Sequence, residues 1–364
     1  MDNRAWIEID IGQVKKNINK IKEFTGRKFM ACVKANCYGL GVKPISKNIE
    51  EIVDYFGVAT VEEGIELRET GIKKPILILG TILPKDVKDA IGNDILITLC
   101  NREILKEISK VAEKIKKVVK VHIKIDTGMG RIGVLPEKAT DFIEEVIKDK
   151  KIFIEGIFTH LATAEWKDKK YAEKQIEKFK EVLQKIEKKV TIPLKHIANS
   201  ASILNLPQTY KEFDIVRIGL LLLGVYPEKY LYKNLPLKCA LSGYSRILFI
   251  KEVPKNTYLS YGISFVTKKR TKVATIGIGY ADGLKRALSN KFYLKYNGRK
   301  VKIIGNICMD QTLLDITGEK AKIGDKIKIF GNNFEIEEMA EIVKTVPQEI
   351  LCGFGSKRVN KIYK

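Results

Sequence analysis

The sequence has few of the residues that mark metal sites, disulfide scaffolds or membrane spans. It contains 3 histidines and 6 cysteines in 364 residues, with no Cys-x-x-Cys pair and no histidine at zinc-ligand spacing. Scattered thiols in this number persist most easily in a reducing compartment, so we predict neither disulfides nor a metal. The longest apolar stretch, residues 218–225, contains two glycines and is far shorter than the ~20 residues of a membrane helix.

The N-terminal segment also lacks the pattern of a targeting sequence. Charged side chains occur at Asp2, Arg4, Glu8 and Asp10, where a signal peptide would need a continuous apolar core. We therefore expect a cytoplasmic protein that has no membrane partner.

Arginine is scarce although the chain is strongly basic. Lys and Arg together number 66 against 44 acidic residues, a net charge of +22, yet only 11 of the basic residues are arginines. Arginine is the commonest reader of nucleic-acid base edges, and the lysines lie mostly in helix-like runs interleaved with glutamate. We interpret the charge as a solvated surface and expect no nucleic-acid partner.

What the sequence does contain is a regular alternation of strand-like and helix-like segments. Eight short apolar runs rich in β-branched residues are separated by stretches of helical periodicity. The runs are residues 29–33, 55–59, 75–80, 95–99, 118–125, 152–158, 194–198 and 213–218. This pattern predicts an α/β protein with a (β/α)₈ TIM barrel, and a doubly wound parallel sheet is the alternative.

After Pro227 the pattern changes to strands and turns. Candidate strands span residues 239–253, 271–279, 292–296, 300–305, 312–316 and 326–330, with turn signals at Asn297-Gly298 and residues 331–333. One helix over about residues 335–345 precedes a basic, strand-like terminus. We predict a barrel over residues 8–234 and a mainly β C-terminal domain over residues 235–364, which residues 1–7 join.

In a barrel of this type the active site forms at the carboxyl ends of the strands. The residues that follow the predicted strands there are Lys34, Asp126 with Arg131 beyond it, His160, Asn199-Ser200, and Arg217 with Gly219. Contact with a barrel core removes water from a lysine amine, which favours the neutral form that Schiff-base chemistry requires. Ser200 and Gly219 occupy the usual phosphate site of such barrels. A Schiff-base lysine facing a phosphate site indicates pyridoxal phosphate, or else an aldolase acting on a sugar phosphate.

Six sequence blocks decide between these two chemistries. They are residues 31–39, 122–133, 196–201, 260–262, 278–283 and 308–311. Together and in this order they closely resemble the alanine racemase family, and the resemblance extends from the N-terminus to Arg358. It implies a homodimeric pyridoxal phosphate enzyme that interconverts L- and D-alanine, supplies D-alanine for cell walls and shares its active sites between subunits.

By this resemblance two residues form the acid–base pair. Lys34 holds the cofactor and acts as one base, and the partner subunit's Tyr261 acts on the opposite face. Moving a proton between the faces of an α-carbon requires bases on both sides of the cofactor plane. A phenol is a weak base at neutral pH unless its anion is supported, and the family pattern lets His160 contact this tyrosine. Arg217 contacts the pyridine nitrogen, which stays unprotonated because an arginine rarely gives up a proton.

The resemblance also assigns residues to substrate and cofactor. The residues implied to bind the substrate or line its entrance are Arg131, Met309, Tyr280, Asp310 and Lys124. Arg131 orients the substrate carboxylate, and Lys124 matches a position that can be carbamylated and then holds this arginine. The residues implied to bind the cofactor are Lys34, Tyr38, His160, Asn199, Ser200, Arg217, Gly219 and Gln348. His122 and His196 lie on apolar strands and are expected to be core histidines.

Three positions depart from the family pattern. Gln348 stands where a tyrosine usually contributes to the phosphate site and the inner gate, Leu40 replaces a frequent histidine, and Leu223 replaces a frequent tyrosine. The glutamine leaves room for activity on serine, or for a racemase specialised for serine or another amino acid. A barrel-type decarboxylase is a further alternative, but such enzymes use an acidic residue in place of Arg217. A non-catalytic pyridoxal phosphate protein would not need Tyr261 or the second domain.

Overall fold

The computed structural model describes residues 3–331 and 334–364. Strand β1 (Ala5–Ile9) precedes an eight-stranded parallel sheet. The strands of this sheet are β2 (Lys28–Cys32), β3 (Tyr55–Val58), β4 (Ile76–Ile78), β5 (Ile95–Leu99), β6 (Val119–Lys124), β7 (Ile152–Phe158), β8 (Leu194–His196) and β9 (Ile215–Ile218). Each lies within or overlaps one of the eight predicted runs, so the predicted barrel strands are confirmed.

The strand order distinguishes the two predicted architectures. From β2 to β8 each strand pairs in parallel with the next one in the chain, and β9 pairs with β2. Hydrogen bonds from Asp214 N to Lys195 O (2.8 Å) and from Arg217 N to Ala198 O (3.1 Å) connect β9 to the end of β8. The sheet is therefore a nearly closed (β/α)₈ barrel. A doubly wound sheet is excluded because its strand order would reverse at a switch point.

Helices cover the outside of the barrel, and one short helical segment, α2 (Lys34–Gly39), lies instead at the carboxyl end of β2 with left-handed backbone. The others are α1 (Ile11–Thr25), α3 (Val42–Ile49), α4 (Val61–Glu69), α5 (Val87–Gly92), α6 (Arg102–Ile115), α7 (Ala139–Lys148), α8 (Lys170–Glu187), α9 (Ser202–Asn205) and α10 (Gln208–Lys211). In α6 the side chain of Asn101 accepts a hydrogen bond from Ile104 N (2.8 Å), and Ile104, Ile108 and Val111 are buried. Such a cap stabilises a helix by ~1 kcal/mol, and the apolar stripe fixes which face packs on the strands.

The C-terminal domain is built on an eight-stranded sheet that β1 also joins. Its further elements are β10 (Leu241–Val253), β11 (Tyr258–Leu259), β12 (Phe265–Val266), β13 (Thr271–Ile276), β14 (Tyr293–Tyr296), β15 (Arg299–Ile303), β16 (Thr312–Asp315), β17 (Lys326–Phe330), α11 (Glu335–Val343), α12 (Pro347–Gly353) and β18 (Asn360–Tyr363). Strand β1 runs antiparallel to β10 and parallel to β18, and the short pair β11 and β12 forms its own ribbon.

The sequence analysis found six of these strands, the helix α11 and the terminal strand, but it missed β1, β11, β12 and α12. The predicted turn at Asn297-Gly298 joins β14 to β15, with both residues at positive φ. In the predicted turn at residues 331–333, Asn332 and Asn333 lie outside the described residues. Within residues 3–331 and 334–364 no helix combines the length and apolarity needed to cross a membrane.

Candidate active site

Lys34 begins an unusual turn at the carboxyl end of β2. The four residues after it, Ala35 to Tyr38, all have positive φ between 51° and 57°, the left-handed region, although none is glycine. This conformation costs an L-residue roughly 1–2 kcal/mol, so the turn must be held by its surroundings. Lys34 itself is half-buried, and the turn directs Tyr38 inward until its side chain is 8% exposed.

Tyr38 lies against Gly219 at the end of β9, and Gly219 in turn contacts Ser200, which follows β8. A Cβ atom placed on Gly219 would lie 1.9 Å from the Tyr38 hydroxyl, so only glycine fits there. Gly219 N donates to Ser200 Oγ (3.2 Å). A phenol, a hydroxyl and a backbone N–H thus converge on one small cradle, and these are donor groups suited to a phosphate. The residues present therefore fit the phosphate end of pyridoxal phosphate.

Arg217 is a charged residue buried in the barrel interior with several hydrogen bonds. It is 4% exposed, and its Nη2 donates to the carbonyls of Thr159 (2.8 Å) and Ile197 (3.1 Å). Burial lowers its pKa to about 10, which still leaves it protonated at neutral pH. Its guanidinium also lies 5.2 Å from the ring centroid of Phe158. The arginine is therefore a fixed cation that can donate hydrogen bonds and accept none.

All three histidines of the chain form hydrogen bonds in one network around Arg217. Arg217 contacts Nδ1 of His160 (3.3 Å) and Nδ1 of His196 (2.9 Å), His196 Nε2 contacts His122 Nδ1 (2.9 Å), and His122 Nε2 lies 3.4 Å from Glu155. Because the guanidinium only donates, both Nδ1 atoms that face it accept. The hydrogen bonds therefore run in one direction, from Arg217 through His196 and His122 to Glu155.

The pKa shifts agree with neutral histidines in this network. Burial, followed by the positive charge of Arg217, lowers the pKa values of His160 and His196 well below the usual value, and burial lowers that of His122. The hydrogen bond from His122 lowers the pKa of Glu155 to about 2. The prediction that His122 and His196 are satisfied core histidines agrees with these contacts. The sequence analysis missed their link to Arg217, because the linked residues lie on separate strands that meet only in the folded chain.

Lys124 ends β6 inside the barrel. Its side chain is 4% exposed, and its Nζ lies 5.2 Å from the Phe158 ring centroid and donates to the Leu79 carbonyl at 3.4 Å. Burial, and then the positive charges of Arg217 and Arg131, lower its pKa to about 7. Near neutral pH a large fraction of this amine is therefore uncharged.

The shifted pKa of Lys124 predicts a pH-dependent stability. Its value in the folded chain lies below the ordinary 10.5, so the unfolded chain binds more protons between about pH 7 and 10.5. The free energy of unfolding is thus expected to rise with pH across this window, and Lys124→Met is expected to flatten that rise. Chemical denaturation of both proteins in carbon dioxide-free buffer across the window measures it. Parallel curves for the two proteins would contradict the shift.

A second group of predicted site residues lies on the C-terminal domain. Tyr261 is 70% exposed, and its carbonyl accepts a hydrogen bond from Asn306 Nδ2 (2.7 Å). Tyr280 and Met309 are also exposed, and their segments are joined by hydrogen bonds from Tyr280 N to Cys308 O (3.0 Å) and from Ala281 N to Met309 O (2.9 Å). Within the part of the chain that the structure describes, no hydrogen bond or ion pair joins this group to the barrel group.

A buried carboxylate fixes the loops that carry the second group. Asp282 is fully buried, accepts from Gly279 N (2.9 Å), and forms ion pairs with Arg4 (2.6 Å) and Arg358 (2.8 Å). Arg4 also donates to the backbone carbonyl of Asp310 (2.9 Å), while the Asp310 side chain is exposed. Residues from both chain termini thus hold Tyr280 and its neighbours in place.

The remaining predicted residues lie partly in the barrel and partly on the C-terminal domain. Arg131 is exposed in the loop after β6, and the Asn199 side chain accepts from Ser202 N (2.9 Å) at the start of α9. Gln348 lies on α12, and its Oε1 is buried without a hydrogen-bond partner among the described residues. Leu40 and Leu223 are fully buried, so both departures from the family pattern are core residues here.

Comparison with known proteins identifies the family. Residues 9–227 match the family described as alanine racemase, N-terminal domain, and residues 240–363 match alanine racemase, C-terminal domain. The chain belongs to the alanine racemase family. It is 43% identical to "Alanine racemase 2" of Caldanaerobacter subterraneus subsp. tengcongensis, with 98% of this chain and 94% of that one covered. It is 40% identical to the alanine racemase of Methanococcus maripaludis, with 98% of each covered.

Solved alanine racemase structures share the fold over the whole chain. The alanine racemase from D-cycloserine producing Streptomyces lavendulae has a TM-score of 0.94 at 30% identity and covers 100% of this chain and 98% of its own. The Bacillus anthracis alanine racemase with bound L-Ala-P has a TM-score of 0.91 at 33% identity, covering 100% and 96%. As a member of the alanine racemase family, the protein is an isomerase that acts as an amino-acid racemase.

Proposed function

We propose that the protein interconverts L- and D-alanine with pyridoxal phosphate, by a two-base mechanism that uses Lys34 and the partner subunit's Tyr261. The observation that carries this proposal is the meeting of Lys34, the buried cation Arg217 and the Tyr38–Ser200–Gly219 cradle at one end of the barrel. These are the groups needed for the amine, the ring nitrogen and the phosphate of that cofactor. The L-Ala-P in the Bacillus anthracis relative supports the same substrate class.

The cofactor, when bound, supplies an electron sink for the carbanion at the substrate α-carbon. Lys34 would hold it covalently, and Tyr38, Ser200 and Gly219 would bind its phosphate, with Asn199 and Gln348 beside them. Arg217 would donate to the ring nitrogen and, being a fixed donor, would leave that nitrogen without a proton. This limits delocalisation of the carbanion and favours racemisation over transamination.

Two bases on opposite faces perform the proton transfer. Lys34 removes or returns the α-proton on one face, and the partner subunit's Tyr261 does so on the other. His160 supports the phenol anion in this arrangement. Its Nδ1 accepts from Arg217 at 3.3 Å, so its Nε2 carries the hydrogen and can donate to a phenolate oxygen.

We propose a homodimer because the second base, Tyr261, lies on an exposed surface. Tyr258, Tyr261, Ile263, Val266 and Met309 are all exposed on the C-terminal domain, and the patch is too apolar to remain in water without cost. A cleft of about 330 Å³ beside it is lined by Ser260, Tyr261, Thr275, Cys308, Gln311 and Leu313. We propose that the barrel mouth of a second copy covers this surface, which brings Tyr261 to that copy's lysine.

The substrate carboxylate would bind Arg131, whose guanidinium matches it in either enantiomer. Met309, Tyr280 and Asp310 would line the approach from the second copy. Lys124 could fix the arginine as a carbamate, since an amine with a pKa of about 7 is about half neutral at neutral pH and able to react with carbon dioxide. We propose this modification for Lys124.

The experiment that tests the function measures products from L-alanine supplied to the purified protein with pyridoxal phosphate. Chiral separation is expected to show D-alanine approaching equal amounts of both enantiomers. Carbon dioxide with ethylamine would indicate a decarboxylase instead, and cofactor binding without any product would indicate a non-catalytic protein. A panel of other L-amino acids in the same assay gives the substrate range.

We also propose activity on serine, because of Gln348. Its buried Oε1 lacks a partner among residues 3–331 and 334–364, and a substrate hydroxyl could donate to it. Satisfying such a group is worth about 1–3 kcal/mol, which is roughly tenfold or more in preference. Glutamine is also smaller than the tyrosine usual in the family, so it leaves room for a hydroxymethyl group.

Gln348→Tyr is expected to shift the ratio of kcat/KM for L-serine to that for L-alanine toward alanine by roughly tenfold. Gln348→Leu is the matched control, because leucine keeps a similar volume and removes the amide. If the amide of Gln348 causes the activity on serine, the leucine variant also shifts toward alanine. If the smaller volume of the side chain causes it, the leucine variant keeps the wild-type ratio. An unchanged ratio in the tyrosine variant would mean that Gln348 does not select the substrate.

The domain limits and cellular role are proposals of the same kind. We propose that residues 8–234 form the barrel unit and that residues 235–364 with residues 1–7 form the second domain. The resemblance to the family supports a cytoplasmic enzyme that supplies D-alanine for cell walls.

A further inference from the structure

We propose that Glu63 is a positioning residue that holds the left-handed turn after Lys34 and thereby sets the place of both Lys34 and Tyr38. This inference rests on the proposed function of Lys34. It concerns a residue of helix α4 that has no assigned part in binding or catalysis.

The two oxygens of the Glu63 carboxylate bind two different backbone segments. Oε1 accepts from Ala35 N at 2.7 Å, and Oε2 accepts from Ala59 N at 2.7 Å. Ala35 directly follows Lys34 after β2, and Ala59 directly follows β3. Because β2 and β3 are neighbours, one carboxylate ties the lysine turn to the end of the adjacent barrel strand.

The sequence around Glu63 would normally use this carboxylate in another way. Thr60 caps α4 by accepting from Glu63 N (3.3 Å), and in a capping box the glutamate would bind the backbone N–H of that threonine. Here it reaches one residue further, to Ala59, and its second oxygen leaves the helix for Ala35. The carboxylate therefore binds the backbone of the turn after Lys34 as well as the backbone just before its own helix.

The turn needs such a restraint because it has an unfavourable conformation. Ala35, Asn36, Cys37 and Tyr38 are all in the left-handed region, which L-residues normally adopt singly. Its far end is fixed by Asn36 Oδ1, which accepts from Val42 N (2.7 Å). The near end, next to the catalytic lysine, is fixed by Glu63.

The orientation of the peptide plane between Lys34 and Ala35 sets the direction of the turn that follows β2. It therefore affects the positions of both the Lys34 amine and the Tyr38 hydroxyl. Holding Ala35 N fixes that plane, and the turn that follows delivers the Tyr38 hydroxyl to Gly219. Release of Ala35 N would let the turn relax toward right-handed or extended backbone. The amine and the phosphate cradle would then lose their alignment together, which lowers the rate of proton transfer more than substrate binding.

The test compares Glu63→Gln with Glu62→Gln, an exposed neighbour on the same helix with the same loss of charge. Glutamine at position 63 can accept a hydrogen bond from one of the two backbone N–H groups through its carbonyl oxygen. Its NH₂ group then faces the other backbone N–H, and two donors form no hydrogen bond. In Glu63→Gln we expect kcat to fall roughly tenfold to a hundredfold with little change in KM, and the Kd of added pyridoxal phosphate to rise about tenfold. Glu62→Gln is expected to change each value less than about twofold.

Hydrogen exchange does not depend on activity, and a rescue variant gives a second test. Hydrogen exchange over residues 33–41 of the holoenzyme is expected to quicken about tenfold in Glu63→Gln and to stay unchanged in Glu62→Gln. Adding Ala35→Gly to Glu63→Gln is expected to recover part of the lost kcat, because glycine adopts positive φ without strain. A merely structural glutamate would lower the melting temperature without this rescue.

The outcomes separate this inference from the proposed function. If borohydride reduction attaches the cofactor to Lys34 but Glu63→Gln behaves like Glu62→Gln, the role of Glu63 is wrong and the function stands. If the cofactor is attached elsewhere, the proposed function is wrong. If Glu63→Gln does not fold, hydrogen exchange of the wild-type protein still tests the inference. Fast exchange of the Ala35 amide in the wild type would show that Glu63 does not hold it.

Discussion

Lys34→Ala is expected to lower racemase activity by about a thousandfold or more while leaving the protein folded. The variant removes the amine that we propose to hold the cofactor and to move the proton on one face. Lys34 is half-buried and forms no ion pair among the described residues, so its loss removes little packing. Circular dichroism is expected to show a melting temperature within a few degrees of the wild type, which separates lost chemistry from lost structure.

Attachment of the cofactor gives the direct measurement. After borohydride reduction of the wild type, mass spectrometry of peptides is expected to find the added mass on Lys34 alone. Lys28 provides the matched control, since it lies exposed at the opposite end of the same strand, β2. Lys28→Ala is expected to retain full activity and full attachment. Attachment at any other lysine would contradict the assignment.

The barrel strands could be predicted from the sequence because the apolar run that marks each strand lies within a few neighbouring residues. Each of the eight apolar runs became a strand, and the change after Pro227 marked the antiparallel domain. The sequence analysis joined residues 1–7 to this domain, but the strand β1 and its pairing with β10 and β18 were not predicted, because the pairing joins residues more than two hundred positions apart. No pattern within five residues shows which distant strand they will join.

The sequence analysis named candidate site residues but not their connections. Lys34 and Gly219 were proposed from their places just after strands, and Arg217 from its place near the end of one, because the active site of a barrel forms there. The left-handed turn was missed because Ala, Asn, Cys and Tyr carry no shared preference for positive φ. The direction of the hydrogen bonds from Arg217 to Glu155 depends on four segments that meet only in the folded chain, and so does the contact of Glu63 with Ala35.

Tyr261→Phe is expected to lower racemisation in both directions by roughly a hundredfold to ten-thousandfold, because it removes the only proton donor and acceptor proposed for the second face. The remaining Lys34 still exchanges the α-proton on its own face. In deuterium oxide one enantiomer of alanine should therefore still incorporate solvent deuterium, while the other should not. Mass spectrometry of alanine recovered at early times measures both.

Tyr258→Phe is the matched control for this variant. It removes the hydroxyl of a tyrosine that is 68% exposed on the same surface, against 70% for Tyr261. We expect it to retain exchange from both enantiomers. Equal exchange of both enantiomers in Tyr261→Phe would show that another group serves the second face.

Mixing the two inactive variants tests whether the site is shared. In a dimer of one Lys34→Ala chain and one Tyr261→Phe chain, one site lacks both bases, and the other site has Lys34 from one chain and Tyr261 of the partner subunit. Random exchange of chains makes about half of the dimers mixed, so activity is expected to recover toward about a quarter of the wild-type value. If both bases came from one chain, every site would lack one of them. Mixing would then restore nothing, even where exchange of chains is demonstrated.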